Sequence, residues 1–144
     1  MTIALCFILA YLIGSIPSGV WVGQAFFHQD IRQSGSHNIG TTNAYRVLGP
    51  VGGSIVLVMD ILKGTLGASL PIFFGIEQHW LVLIVGLAAV AGHTFSIFIH
   101  FKGGKAVATS AGICLAYDWK FFLVCCAIFI SLVILTSMVS IAST

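Results

Sequence analysis

Charge is what this sequence lacks. Six basic and four acidic residues are all that its 144 positions carry, 7% of the chain. A soluble domain carries roughly a quarter. With 58% hydrophobic residues and a mean hydropathy of +1.08, water is not the main solvent, and a polytopic membrane protein is expected. Three long apolar regions exclude a lone cleavable signal peptide. Cysteine pairing is also missing: Cys6, Cys114, Cys125 and Cys126 all sit in apolar runs without CxxC spacing, and read as small buried hydrophobes. No Gly-x-Ser-x-Gly elbow or nucleophilic triad is present. Nor is there a nucleotide P-loop, since Ala106 stands where Ser or Thr would bind magnesium. The five histidines lack carboxylate or cysteine partners at ligand spacing, so neither metal nor cofactor is expected. The net charge of +2 rests on few sites, and no nucleic-acid partner is expected. Internal repeats are not evident.

What is present is a series of apolar runs with sharp polar interruptions. Residues 3–27 can span a bilayer with a kink at Pro17, and Gly19 and Gly23 form a GxxxG pair open to another helix. Residues 28–46 are too rich in Gly, Ser and Asn for a transmembrane helix. Residues 51–76 are apolar around Asp60 and Lys63. After the turn Glu77-Gln-His79, residues 80–101 form another apolar run, broken at Gly92-His93-Thr94. Residues 106–117 are short for a span, and residues 121–143 follow the turn Asp118-Trp119-Lys120. Arg32, Arg46, Lys102 and Lys105 fall in two loops on one side, so the positive-inside rule places those loops in the cytoplasm and the N-terminus outside.

Those two loops hold the residues suited to chemistry. In Phe98-Ile-His-Phe-Lys-Gly-Gly-Lys-Ala-Val-Ala-Thr109, two lysines flank two glycines whose bare N–H groups suit a phosphate-sized anion. In 28–46, Ser34, Ser36, Asn38, Thr41, Thr42 and Asn43 can bind hydroxyls or phosphate oxygens. Arg46, at the apolar border, can grip a phosphate bidentately. Asp60 and Lys63 are three apart on one helix face, and an ionisable pair within an apolar run turns inward. Structural pairing and a place in a site both remain open for them. His93 is as consistent with a hydrogen-bonded core group as with a functional one.

Four motifs in register then resemble a known family: Gly14-Ser-Ile-Pro-Ser-Gly19; Gly35-Ser-His-Asn-Ile-Gly-Thr-Thr-Asn43 with Arg46; Asp60-x-x-Lys-Gly64; and Gly92-His-x-Phe95 with Phe101-Lys-Gly-Gly-Lys-Ala-Val-Ala-Thr109. The chain resembles the bacterial acyl-phosphate:glycerol-3-phosphate acyltransferases over residues 12–110, with a weaker likeness at Thr136–Ser143. The resemblance implies an all-α, polytopic transmembrane helix bundle in the bacterial cell membrane. It implies acyl transfer from acyl phosphate to the 1-hydroxyl of glycerol 3-phosphate, giving lysophosphatidate for phospholipid synthesis. Ser36, Arg46, Lys105 and His93 are the implied catalytic positions. Asn38, Thr42, Asn43, Lys102, Gly103, Gly104 and Ser140 are the implied substrate-binding ones, with Asp60 and Lys63 as a site pair. Both substrates, the bilayer and the enzyme that makes acyl phosphate are the implied partners. Positioning and charge stabilisation can supply most of the rate, with a substrate phosphate oxygen as one candidate acceptor for the hydroxyl proton.

The departures are specific. His37 stands where the family has Gly, Ser96 where Pro is common, Ala106 where Gly follows the second lysine, and Ser137-Met138 where Arg-Tyr is usual. Family members continue for about fifty residues more, so residues 1–144 are expected to form a single integral membrane domain lacking its C-terminal helices. Two rival functions are a transporter for a phosphorylated or other anionic solute, for which inverted repeats would speak, and an inactive membrane scaffold.

Overall fold

The structure, a computed structural model, describes residues 1–136. It is helical: α1 is Thr2–Gly14, α2 Ser18–Phe26, α3 Thr41–Phe73, α4 Leu81–Thr94, α5 Val107–Tyr117 and α6 Trp119–Thr136. Among the described residues, four stretches are long and apolar enough to cross a membrane: Thr2–Phe26, Thr41–Phe73, Leu81–Ile99 and Trp119–Thr136. The exposed side chains along them, Leu62, Leu66, Leu87 and Ile134 among them, are those lipid would cover.

Each break in these helices has a local cause. Pro17 separates α1 from α2, and the carbonyl of Ile16 accepts from the Ser18 N–H at 3.0 Å and from Lys63 Nζ at 2.8 Å. The hydroxyl of Ser96 donates to the Ser15 carbonyl at the same break. In α3, Gly49 takes φ 78° and ψ −174° before Pro50. The residue before proline is driven to extended backbone, and glycine reaches positive φ without a Cβ penalty. The short helix 41–48 therefore stands apart in direction from the long stretch 50–73, which reaches about 36 Å.

Three expectations about boundaries change. The polar segment does not run irregularly to residue 46, because α3 begins at Thr41 and puts Thr42, Asn43 and Arg46 on its first turns. The run 80–101 stays helical through Gly92-His93-Thr94 and breaks one residue later, where Phe95 leaves helical geometry and a 3-10 turn, Ile97–Ile99, follows. Left-handed His100 and Phe101 then reverse the chain, with the Phe101 N–H donating to the Ser96 carbonyl at 2.7 Å. Gly19 and Gly23 admit the loop after α2 rather than a helix: a methyl at Gly19 would strike the Ile39 carbonyl, and one at Gly23 would lie 2.6 Å from the Gln29 carbonyl oxygen.

Small residues set the packing elsewhere. Lipid tails are as apolar as Leu, so helices in a bilayer associate through close van der Waals contact rather than a hydrophobic drive. α1 meets α4 where Gly14 faces Ala89 and Gly92 faces the Tyr11 carbonyl. α5 meets α3 where Gly64 faces Thr109 and Gly112 faces the Ile61 carbonyl, and Thr65 Oγ1 donates to the Gly112 carbonyl at 2.9 Å. At eleven residues, α5 rises about 16 Å, which is short of the roughly 30 Å hydrocarbon core. α6 packs on α5 and buries none of its own residues.

Candidate active site

A cavity of about 1250 Å³ opens between the polar loop, α3, α5 and α6. Its polar lining is Ser36, Asn38, Thr41, Thr42, Arg46, Asp60, His93 and Lys105, and its largely apolar lining on α5 and α6 includes Ala111, Cys114, Cys126, Ile128, Phe129 and Leu132. One space thus joins two cations to a hydrocarbon wall.

The loop before α3 is tied down by one side chain. Asn43, 1% exposed, donates through Nδ2 to the carbonyls of Ile31 (2.8 Å), Ser34 (3.2 Å) and Asn38 (2.8 Å), and its Oδ1 accepts from the Ser36 N–H at 3.0 Å. Asn38 Oδ1 in turn accepts from the Gly40 N–H at 2.9 Å. The loop therefore arrives in one conformation at the N-terminus of α3. There the first-turn N–H groups lack intrahelical acceptors, and the helix dipole favours an anion. Arg46 and Lys105 line the same cavity, and neither has a carboxylate partner among the described residues. Both charges are free to take up a phosphate.

Behind this end lies a buried ionic cluster. Asp60 and Lys63 are 1% and 4% exposed, with Lys63 Nζ 2.9 Å from Asp60 Oδ1. Thr41 Oγ1 donates to Asp60 Oδ2 at 3.3 Å, and His93 Nδ1 lies 3.8 Å from Asp60 Oδ1. Asp60 and His93 belong to the cavity wall; Lys63 does not, and is held between Asp60 and the Ile16 carbonyl. Truncating one partner of such a pair costs roughly 3–5 kcal/mol, because the other charge is left buried and uncompensated.

Several residues expected at the site have other roles. The N–H groups of Gly103 and Gly104 donate to the carbonyls of Thr94 (2.9 Å) and His93 (3.1 Å), so they clamp the loop to the end of α4 rather than face an anion. Neither glycine lines the cavity, nor does Lys102. The glycines are required for closeness: a methyl at Gly103 would strike the His93 carbonyl, and one at Gly104 would stand 2.6 Å from His93 Nε2. Asn43 borders the cavity, but its polar atoms are occupied by the loop, so it organises the site instead of binding in it. Ser140 lies outside the described residues. Of the cysteines, Cys6 is fully buried, whereas Cys114, Cys125 and Cys126 are half-buried in the cavity wall. Away from the cavity, Arg32 grips Asp30 with Nε at 2.9 Å and Nη2 at 2.7 Å. That grip holds the Asp30 carboxyl below the usual carboxylate range and raises the Arg32 guanidinium.

Two features of the site are not legible along the chain. One is the helix start at Thr41, signalled only by Gly40-Thr41-Thr42, an acceptable but common helix opening. The other is the apolar arm, whose α5 and α6 residues look like any lipid-facing run until the two helices are placed side by side.

The class is an all-helical, polytopic membrane protein with a cationic, half-apolar cavity between its helices. The model of the family described as glycerol-3-phosphate acyltransferase matches residues 4–144, and the chain belongs to that family. It is 76% identical over its whole length to the glycerol-3-phosphate acyltransferase of Lacticaseibacillus casei (strain BL23), of which it covers 70%. It is 65% identical to that of Latilactobacillus sakei subsp. sakei (strain 23K), with 99% of this chain and 69% of the relative covered. Its fold is similar to crystal structures of PlsY (YgiH), an integral membrane glycerol 3-phosphate acyltransferase. For the glycerol 3-phosphate form the TM-score is 0.89 at 35% identity, covering 99% of this chain and 71% of that one. For the lysophosphatidic acid form the TM-score is 0.88 at 33% identity.

Proposed function

We propose that the cavity brings acyl phosphate and glycerol 3-phosphate together and transfers the acyl group to the 1-hydroxyl. Acylation of glycerol 3-phosphate is the activity of the family to which the chain belongs; the lining of the cavity supports acyl phosphate as the donor. Acyl phosphate is a phosphate on a hydrocarbon tail, and the single observation that carries the reading is one continuous space lined both by Arg46 and Lys105 and by Cys126, Phe129 and Leu132. The transporter and scaffold readings gain no support from any comparison.

In this reading Arg46, Ser36 and the first turn of α3 hold the phosphate of glycerol 3-phosphate. Lys105 balances the phosphate of the donor, and Asn38 and Thr42 bind polar groups of the substrates. The 1-hydroxyl attacks the acyl carbonyl, the new ester C–O bond forms, and the bond from the carbonyl carbon to the phosphate oxygen breaks. A mixed anhydride has a good leaving group, so holding the reactants in line and neutralising the departing phosphate supplies most of the rate. The positive-inside bias puts the two loops and the cavity mouth on the cytoplasmic side of the bacterial cell membrane, with the N-terminus outside. The enzyme that makes acyl phosphate is then the natural supplier at that face.

The test supplies purified protein in vesicles with acyl phosphate and labelled glycerol 3-phosphate. Lysophosphatidate forms with acyl phosphate and not with an acyl thioester. Lys105→Ala stays inserted and loses turnover. Full activity in K105A, or uptake of label without product, sinks the reading.

A further inference from the structure

The fold separates the four cysteines into two kinds. Cys6 is fully buried and packs with Ala10, Val85 and Ala89, as a small hydrophobe does. Cys114 on α5 and Cys125 and Cys126 on α6 are half-buried free thiols, and all three line the cavity. Among the described residues no three His, Cys, Asp or Glu side chains are grouped to hold a metal ion. The chemistry open to these thiols is therefore their own.

Two of the three meet. The Cys114 thiol is in contact with that of Cys125 across the α5–α6 interface, and Cys126 interacts with Cys114 more weakly. Helix geometry accounts for the pairing. The chain turns at Asp118, between α5 and α6. Cys114 stands about 6 Å from that turn along its helix axis, and Cys125 about 10 Å. A helical Cβ leans toward its own N-terminus, so the Cys114 thiol leans away from the turn, the Cys125 thiol leans toward it, and the difference closes. Cys126 points about 100° further round α6. In the orientation proposed above, Asp118 lies on the outer face, away from Arg46 and Lys105. An oxidant arriving from outside then meets this pair before it meets the site loops. Disulfides persist on that side of a cell membrane, whereas cytosolic reductants keep thiols open on the other.

We propose that Cys114 and Cys125 are a redox-sensitive thiol pair: a peroxide converts them into a disulfide that staples α6 to α5 and narrows the apolar lining where the acyl chain of the donor lies. The consequence for the acyl chain rests on the acyltransferase reading; the bond itself does not. One thiolate attacks the peroxide, the O–O bond breaks, and a sulfenic acid forms as hydroxide leaves and is protonated to water. The other thiol then displaces water from that sulfur as the S–S bond forms. Two thiols and one hydrogen peroxide thus give one disulfide and two waters, and a dithiol reductant reverses the change by exchange. The bond holds the two Cβ atoms about 3.8 Å apart. α6 buries none of its own residues and packs on α5, so it is the helix that such a link repositions.

The test treats purified, fully reduced protein in vesicles with hydrogen peroxide, alkylates the remaining thiols and maps the peptides by mass spectrometry. The expected product is one linked pair, Cys114 to Cys125, with Cys6 and Cys126 alkylated, and dithiothreitol restores both thiols. The proposal is overturned if Cys114 and Cys125 stay alkylatable, stop at sulfinic acid, or link to Cys126 or to a second chain. The second readout is a competition between ten-carbon and sixteen-carbon acyl phosphate. Oxidation should shift the product ratio toward the ten-carbon chain by roughly tenfold, with the KM for glycerol 3-phosphate unchanged. Dithiothreitol should reverse the shift, and C125S should not show it. An unchanged ratio in fully linked protein, or a shift that persists in C125S, also overturns the proposal. If C125S fails to insert, C114S takes its place, and reversal by dithiothreitol in the wild-type protein needs neither variant. A wild-type protein that makes no lysophosphatidate sinks the acyltransferase reading separately, and the peptide map still decides whether the bond forms.

Discussion

Two of the residues that set this chain apart from its family pattern fall where backbone geometry is most demanding. His37 and Ala106 occupy positions at which the resembled family carries glycine, and both lie in the left-handed region, with φ 61° and 58°. His37 is partly compensated by its Nδ1 contact with the Arg32 carbonyl at 2.9 Å. Ala106 has no such compensation. A left-handed L-residue costs about 1–2 kcal/mol, from which the greater unfolded-state freedom of glycine subtracts roughly 0.5–1 kcal/mol. Ala106→Gly should therefore stabilise the protein by up to about 1 kcal/mol, raising Tm in detergent by roughly 2–4 °C. The Asp30–Arg32 pair makes a second residue-scale prediction. Because the folded carboxyl is held below its ordinary value by Arg32, its contribution is present above the unfolded aspartate pKa and is lost as pH falls through the lower folded value. An NMR titration of Asp30 should find its midpoint below that of a free aspartate, and D30N should remove the acid-side loosening of the 28–40 loop. A midpoint at the free value contradicts the pair's role.

Helix-to-helix distance is controlled by glycines whose job differs from that of the turn glycines. At Gly112 a side chain has no room, since a methyl would strike the Ile61 carbonyl and lie 2.9 Å from the Thr65 N–H. At Gly75 nothing is near, but φ is 73°. Gly75→Ala should cost about 1–2 kcal/mol of strain alone and leave the KM for glycerol 3-phosphate unchanged. Gly112→Ala should cost about 1–3 kcal/mol and also raise that KM, because α5 leads directly back to Lys105. Equal KM values in the two variants would detach α5 placement from substrate binding. Most of these elements were legible as apolar runs. The helix start at Thr41 was not, because polar residues that cap a helix have the same composition as a loop.

At the scale of the whole molecule, the cavity exists because distant segments converge: the 36–46 region, Leu57 and Asp60 of the long part of α3, His93 of α4, Lys105 with α5, and α6. Its apolar arm should set the length of acyl chain accepted. Cys126→Trp fills that arm, so the variant should favour a ten-carbon over a sixteen-carbon acyl phosphate in competition, with the KM for glycerol 3-phosphate unaltered. An unchanged chain-length ratio would remove α6 from the acyl site. The sequence alone determined that the chain belongs in a bilayer and roughly where its apolar runs lie, since these depend on transfer free energies counted residue by residue. It also marked Arg46, Lys105 and the Asp60–Lys63 pair, because a charge in an apolar chain must have a reason. Only the tertiary structure decided which polar atoms remain free. The Gly103 and Gly104 N–H groups and the whole amide of Asn43 are taken up by backbone partners far along the chain or across a turn, while Arg46 and Lys105 are left to the cavity. Hydrogen-bond satisfaction is a property of neighbours in space, and no pattern along the chain records it.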